Sequence, residues 1–147
     1  MKGGVGKTTL ACNLAREILT GKQISVLLID LDPQFNLTQQ LMAPATYGKA
    51  LEEGRSALRL FEPAPASDFF DINTTDVAPP IARDISYSLL YLIRDPKIQI
   101  ALIPGSFELT KYSFIDDSSK LSFAKDFFKK FISKARSEFD LILLDMN

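Results

Sequence analysis

Three apolar runs along the chain predict buried strands, and two longer periodic stretches predict helices that cover them. The runs lie at 24–29, 98–103 and 139–144, and each is short and rich in aliphatic residues, as in parallel strands buried on both faces. Apolar residues recur at helical spacing over 9–20 and again over 119–137. Strands that alternate with helices in this way predict the α/β class, with a mostly parallel sheet flanked by helices.

The two periodic stretches each place their apolar residues on one face. The first stretch carries Leu10, Ala11, Leu14, Ala15, Ile18 and Leu19, and the second carries Leu121, Ala124, Phe127, Phe128, Phe131, Ile132 and Ala135. The opposite face of the second helix is basic, with Lys120, Lys125, Lys129, Lys130, Lys134 and Arg136. Lysine interleaved with phenylalanine can indicate contact with nucleic acid or membrane, but spacing that separates the two sets this cleanly favours a solvated helix over a core.

The middle of the chain has a weaker pattern. We expect a short helix over 36–42 and a second helix over 46–61, with Ala50, Leu51, Ala57, Leu58 and Leu60 as the apolar face of the second. Proline and small polar residues then predict an irregular connection. Phe69 and Phe70 lie inside this connection and are expected to pack back onto the domain, with an interaction anchor as the alternative.

A phosphate-binding loop is predicted at the start of the chain, in the run MKGGVGKTT. Glycines let backbone N–H groups turn inward around a phosphate, and the following helix directs its positive dipole end at the same anion. Lys7 stands where a P-loop lysine reaches the β- and γ-phosphates, and the Thr8 hydroxyl stands where Mg²⁺ is held. The general pattern has glycine at the first position, whereas this chain has Met1 followed by Lys2.

Acidic residues follow two of the predicted strands. Asp30 and Asp32 close the first, at the edge where open α/β sheets bind ligands, and alternation places both on one side. Two carboxylates there suit Mg²⁺-bound waters and an attacking water, although Asp-Pro also begins ordinary turns. Asp145 closes the last strand and predicts a carboxylate that accepts from a Mg²⁺-bound water.

The loop, the first acidic segment and the last strand resemble one family. The run KGGVGKTT is similar to the deviant Walker A motif of the ParA/MinD ATPases, and closest to the ParA (Soj-like) partitioning proteins. The segment DLDPQ-x-N-x-T resembles their switch I, although this chain has Phe35 where the family more often has glycine. The segment PGSFEL at 104–109 resembles their turn into a helix.

The resemblance implies a set of site residues and cofactors. It implies ATP and Mg²⁺ as cofactors, with Lys2 reaching across a dimer, Lys7 and Asp32 as further catalytic residues, and Asp32 orienting the hydrolytic water. The implied metal residues are Thr8, Asp30 and Asp145, with Asp30 in the outer shell. The implied nucleotide-binding residues are Lys2, Gly3, Gly4, Val5, Gly6, Lys7, Thr8 and Thr9.

The resemblance also implies a function, with alternatives that the sequence leaves open. It implies an ATP-hydrolysing dimeric switch in plasmid or chromosome partitioning, with a homodimer, a ParB-like DNA-binding partner and non-specific DNA as partners. One alternative is a MinD-like membrane-associated positioning ATPase, and another is a non-enzymatic remnant of a ParA-like gene. Relatives that carry an iron–sulfur cluster at their dimer interface need more cysteines than Cys12, the one cysteine of this chain.

Composition sets outer limits on these readings. A chain of 147 residues with 46% hydrophobic content is long enough for one domain with a core. A net charge of −1 gives no global electrostatic case for DNA binding. No leader or apolar run long enough to span a membrane is present, so a cytoplasmic protein is expected. Because a P-loop follows a strand, we expect residues 1–147 to be a partial ParA-type P-loop domain that lacks the first strand and the C-terminal part.

Overall fold

The computed structural model of the protein describes residues 24–89 and 99–146, which form a four-stranded sheet with helices packed against it. In chain order the elements are β1 (Ser25–Asp30), α1 (Asn36–Leu41), α2 (Pro44–Glu52), a first 3-10 helix (Ala57–Leu60), α3 (Ala82–Ile85), β2 (Tyr87–Ser88), β3 (Gln99–Ile103), a second 3-10 helix (Phe107–Ser113), α4 (Ser118–Ala135) and β4 (Leu141–Asp145). The helix expected over 9–20 lies outside the described residues.

The sheet has the order β2-β3-β1-β4 and is parallel except at one edge. β1 pairs in parallel with β3 and with β4, and the short strand β2 pairs antiparallel with β3. The predicted mostly parallel sheet is therefore confirmed, and its three strands lie within two residues of their expected bounds. β2 was not predicted, because the sequence around it has no clear period.

Alternate residues of β1 supply two cores on opposite faces of the sheet. Leu27 and Ile29 pack with the first 3-10 helix and α4, where Phe131 is fully buried. Val26 and Leu28 pack on the other face with α1 and α2. This is the period of two expected of a strand, and it explains why β1 is apolar at almost every position. Helices therefore flank both faces.

The helix expected over 46–61 is broken, and this prediction was wrong. α2 ends at Glu52, and Gly54 adopts a left-handed conformation with φ of 65°. The Arg55 N–H then donates to the Ala50 carbonyl at 2.8 Å, which is the closing bond of a Schellman motif. Leu51, expected on the apolar face, is exposed, while Ala57, Leu58 and Leu60 are buried from a separate 3-10 helix.

α4 follows its prediction closely. Asp117 caps its N-terminus by accepting from the N–H groups of Ser119 and Lys120. Four of the predicted apolar residues are fully buried, namely Ala124, Phe127, Phe131 and Ala135. In the part of the chain that the structure describes, no helix combines the length and the apolar character needed to cross a membrane.

The connection between the first 3-10 helix and α3 is irregular, as predicted. Residues 62–80, all of them described, form neither helix nor strand. Phe69 and Phe70 do not pack back onto the domain as expected, because Phe69 is 39% and Phe70 64% exposed. The two rings contact each other, and the Phe70 ring also contacts Phe114. This prediction was wrong as well.

Candidate functional site

The three aspartates predicted for the site all lie at the carboxyl edge of the sheet. Asp30 ends β1 and Asp145 ends β4, and the two are directly opposed in the parallel register. Asp32 lies two residues beyond Asp30, and all three side chains are buried. Parallel pairing places the ends of neighbouring strands side by side, which brings together acids far apart in sequence.

The predicted phosphate-binding loop lies outside the described residues. This applies to Lys2, Gly3, Gly4, Val5, Gly6, Lys7, Thr8 and Thr9. Their roles in binding nucleotide, in catalysis and in holding a metal therefore stay predictions.

Asp30 holds the loop after β1 in place with both of its carboxylate oxygens. Oδ2 accepts from the backbone N–H of Thr38 at 2.8 Å and from its hydroxyl at 2.7 Å, and Oδ1 accepts from the Asp32 N–H at 3.2 Å. Burial raises the pKa of Asp30, the hydrogen bonds from Thr38 lower it, and the neighbouring charge of Asp145 raises it, with a net upward shift. Asp30 thus has a defined structural role at the edge where a ligand would bind.

Thr38 connects this loop to the end of β3. Its hydroxyl donates to Asp30 and also accepts from the Gly105 N–H at 2.8 Å, and the residue is almost completely buried. Gly105 approaches so closely that a Cβ there would lie 3.0 Å from Asp30 Cγ. The sequence pattern predicted no contact for Thr38 or Gly105. The available signal was that both follow strand ends on the same edge.

Phe35 occupies a strained position at the start of α1. Its φ of 44° and ψ of 42° are left-handed, a conformation that costs a residue with a side chain roughly 1–2 kcal/mol. Its ring stacks on Tyr47 with centroids 5.3 Å apart, and the Tyr47 hydroxyl donates to the Gly105 carbonyl at 3.1 Å. Glycine would relieve this strain, because it adopts the left-handed conformation without steric cost.

Asp32 is oriented by residues that follow it in the loop. Its Oδ1 accepts from the Gln34 N–H at 2.9 Å, and its Oδ2 accepts from the Asn36 side-chain amide at 3.2 Å. The first of these bonds closes an Asx-turn, as expected if Asp32-Pro33 begins a turn. The side chain of Asp32 is also buried, so the same residue can begin a turn and contribute a carboxylate to the site.

The backbone of Asp145 is held by a hydrogen bond from the residue that follows β1. Its carbonyl accepts from the Leu31 N–H at 2.8 Å, and its carboxylate is close enough to Asp30 to raise the pKa of that group. Two buried carboxylates at one edge attract a cation or a donor-rich ligand. Within residues 24–89 and 99–146, however, no group of three or more His, Cys, Asp or Glu side chains could hold a metal ion.

Comparison with known proteins identifies relatives of the chain. A family model described as an AAA domain matches residues 1–147. The ATPase ASNA1 homolog of Dictyostelium discoideum is 42% identical over 67 residues, which cover 46% of this chain and 20% of that protein. The chromosome-partitioning ATPase Soj of Thermus thermophilus is 56% identical over 48 residues, which cover 32% of this chain and 18% of Soj.

A solved structure has a similar fold. The structure of pNOB8 ParA bound to nonspecific DNA matches 99% of this chain with a TM-score of 0.60 and 24% sequence identity. At this identity the likeness shows the fold alone. The match covers 43% of that chain, so each of these three matches covers less than half of the relative's length.

Proposed function

The chain belongs to the AAA-domain family of ParA-type P-loop ATPases, and from that premise we propose that the protein is an ATP-driven dimeric switch in plasmid or chromosome partitioning. In this proposal the protein binds ATP and dimerises around two nucleotides. It engages its partners while ATP-bound, and it hydrolyses ATP to ADP and phosphate to reset. The name of the Thermus relative, a chromosome-partitioning ATPase, supports the biological role.

The observation that carries the proposal is the meeting of Asp30, Asp32 and Asp145 at one edge of the sheet. Ligands of open α/β sheets bind outside the carboxyl ends of the strands, where helix N-termini and strand-end acids converge. A P-loop motif in the same chain supplies the positive partner for a nucleotide. Carboxylates that bind Mg²⁺ and a loop that binds phosphates are together the groups that a Mg²⁺-nucleotide site requires.

In the proposed site, one set of residues binds the phosphates of ATP and another set binds Mg²⁺. The phosphates would be held by Lys2, Gly3, Gly4, Val5, Gly6, Lys7, Thr8 and Thr9. The residues that would hold Mg²⁺ are Thr8, Asp30 and Asp145, and the metal would neutralise charge on the phosphates. Magnesium in such sites usually keeps several waters and takes one or two protein ligands together with phosphate oxygens, which fits an edge whose described acids form no cage of their own.

Asp32 is the proposed orienting group for the attacking water. Phosphoryl transfer depends mainly on positioning and charge neutralisation, so a fixed carboxylate is well suited to this task. The carboxylate of Asp32 is held by Gln34 and Asn36, which limits its motion. Lys2 and Lys7 complete the proposed catalytic set by neutralising charge on the phosphates.

The proposed partners are those that the family resemblance implies. We include a second copy of the chain, a ParB-like DNA-binding protein and non-specific DNA, with a cytoplasmic location. The structural relative pNOB8 ParA is bound to nonspecific DNA, which supports the DNA partner.

Substitution of the two lysines tests the proposal. Lys7→Ala is expected to abolish binding of a fluorescent ATP analogue, because it removes the charge opposite the phosphates. Lys2→Ala is expected to retain that binding but to lose ATP-dependent dimerisation and phosphate release. Comparing the two variants separates the role of Lys7 in nucleotide binding from the role of Lys2 in dimerisation and hydrolysis. Equal loss of nucleotide binding in both variants would contradict the two-lysine assignment.

A further inference from the structure

Three phenylalanine rings, those of Phe69, Phe70 and Phe114, form an exposed group. Phe70 lies edge-on to Phe69 with centroids 5.3 Å apart and edge-on to Phe114 with centroids 6.4 Å apart. Phe70 is 64% and Phe114 65% exposed. An apolar group of this kind on a surface marks an interaction site more often than scattered single residues do.

Four exposed or half-exposed aspartates lie within three residues of these rings in the sequence. Asp68 and Asp71 flank Phe69 and Phe70 in sequence, and Asp116 and Asp117 follow Phe114. Lys120 is paired with Asp71 and lies within electrostatic reach of Asp68 and Asp117. Lys111 also reaches Asp71, but its charge is paired with the buried carboxylate of Glu62. The rings and the four aspartates, together called the aromatic–acidic patch, therefore carry a negative charge that one lysine only partly offsets.

Buried ionic contacts hold the two segments of the patch together. Glu62 and Lys111 form an ion pair that is almost completely excluded from solvent. Lys111 also donates to the Asp71 carbonyl at 2.8 Å, and Glu62 accepts from the Asn73 N–H at 2.9 Å. The segment carrying Phe70 is thus fixed against the 3-10 helix that leads to Phe114, and a fixed surface loses little conformational entropy on binding.

The chemistry of the patch selects among classes of partner. Anionic lipid headgroups and nucleic acid phosphates would be repelled by the aspartates. Guanidinium and ammonium groups are attracted by carboxylates and also by the faces of aromatic rings. We propose that the aromatic–acidic patch is a docking surface for an arginine-rich segment of a partner protein, whose guanidinium groups lie against Phe70 and Phe114 and pair with Asp68 and Asp116.

The test measures binding of a defined probe to the protein without nucleotide. The probe is a fluorescein-labelled peptide in which arginine alternates with glycine, and the comparison probe replaces each arginine with glutamate. Fluorescence anisotropy is expected to show binding of the arginine peptide alone, weakening as salt is raised. Because no nucleotide is present, the result does not depend on the proposed ATPase activity.

Substitutions locate the binding site. The double variant Phe70→Ser/Phe114→Ser and the double variant Asp68→Asn/Asp116→Asn are each expected to weaken binding about tenfold or more. Phe107→Ser is the matched control, because Phe107 is also 64% exposed but begins the second 3-10 helix, whereas Phe114 follows its end. At a rise of about 2 Å per residue, the two residues lie about 14 Å apart along the helix axis. The affinity of this control for the peptide is expected to stay unchanged, and thermal melting checks that all variants are folded.

Several outcomes overturn the proposal. They are peptide binding that is unaffected by both double variants, equal loss of binding in Phe107→Ser, and equal binding of the glutamate peptide. Tighter binding of duplex DNA or of phosphatidylglycerol vesicles at the same residues would assign the patch to another class of partner. Self-association that disappears in Phe70→Ser/Phe114→Ser would assign it to a second copy of the chain. Each of these results contradicts an arginine-rich partner segment.

Discussion

At the scale of single residues, Gly105 decides how closely the end of β3 approaches the loop after β1. A Cβ on this residue would lie 2.9 Å from Phe35 Cβ and 3.0 Å from Asp30 Cγ. Both atoms are near the backbone and cannot move aside as the end of a long side chain can. The Gly105 N–H also donates to Thr38, so any shift of the backbone loosens the contact that Thr38 makes with Asp30.

Gly105→Ala is therefore expected to destabilise the protein. Overpacking of this kind costs about 1–3 kcal/mol in the free energy of unfolding, measured by urea denaturation. Gly48→Ala is the matched control, because Gly48 lies inside α2 with nothing within 4 Å of a new Cβ. That variant is expected to be stabilised by about 0.5–1 kcal/mol, since alanine favours a helix interior. Equal effects at the two glycines would contradict the packing argument.

At the scale of elements, the irregular connection 62–80 is attached to the domain by the buried Glu62–Lys111 ion pair. The pair joins the start of the connection to the second 3-10 helix, and both side chains are almost fully buried. Charges taken out of water in this way are tolerated only when each has its partner. The start of the connection is therefore anchored to the domain although it contains no regular structure.

Lys111→Met is expected to lower the free energy of unfolding by about 3–5 kcal/mol, because it leaves the Glu62 carboxylate buried and unpaired. Glu62→Gln/Lys111→Met is expected to be more stable than the single variant, since no charge remains and glutamine can still accept from Asn73. Lys129→Met provides a surface control, because the Lys129–Asp126 pair is exposed and is expected to contribute about 0–1 kcal/mol. If the double variant were less stable than Lys111→Met alone, the unpaired Glu62 charge would not be the cause of the destabilisation.

A second contact between elements links the starts of β1 and β4 and depends on pH. The Asp140 carboxylate accepts from the Ser25 N–H at 2.7 Å and from the Ser25 hydroxyl at 2.8 Å. These bonds hold the pKa of Asp140 below its usual value of 3.8. A carboxyl group with a lowered folded-state pKa contributes stability above the unfolded pKa, and this contribution is lost as pH falls through the folded pKa.

Asp140→Asn is thus expected to melt at a lower temperature than the unsubstituted protein near neutral pH. The difference is expected to shrink as pH falls below about 4, because the unsubstituted carboxyl group then becomes protonated as well. Thermal melts of both proteins across this range provide the measurement. A difference that stays constant with pH would show that the charge of Asp140 has no part in the contact.

At the scale of the whole molecule, the parallel sheet unites acids from two strands in one place. Asp30 and Asp145 are opposed because β1 and β4 pair in register, and Asp32 follows on the loop that Asp30 and Thr38 hold. The proposed switch uses this edge to bind nucleotide and a second copy of the chain. If the proposed switch dimerises in this way, we expect ATP-dependent dimerisation to be sensitive to single substitutions at the edge.

Asp32→Ala is expected to trap an ATP-bound dimer, because phosphate contacts persist while the attacking water loses its orienting group. Size-exclusion chromatography with ATP is expected to show a stable dimer, and phosphate release to be negligible. Asp32→Asn keeps an acceptor for the Gln34 N–H, so the same result in that variant excludes a collapsed loop as the cause. A monomer, or near-normal turnover, would remove Asp32 from catalysis.

The sequence by itself determined the strands β1, β3 and β4, helix α4 and the strand-end acids. These features depend on neighbours within a few residues: apolar runs form buried strands, and helical spacing places Phe127 and Phe131 on one face. The family resemblance also rests on contiguous motifs. The break at Gly54 had a local signal in that glycine, yet the apolar spacing on either side of it favoured one continuous helix.

Only the tertiary structure decided the contacts that build the candidate site and the aromatic–acidic patch. Thr38 and Gly105 are 67 residues apart, and Glu62 and Lys111 are 49 apart. Such pairs meet because of strand order and register, which a local pattern does not encode. The exposure of Phe70 likewise depends on which surface its segment crosses, because an aromatic pair has the same local pattern whether it is buried or exposed.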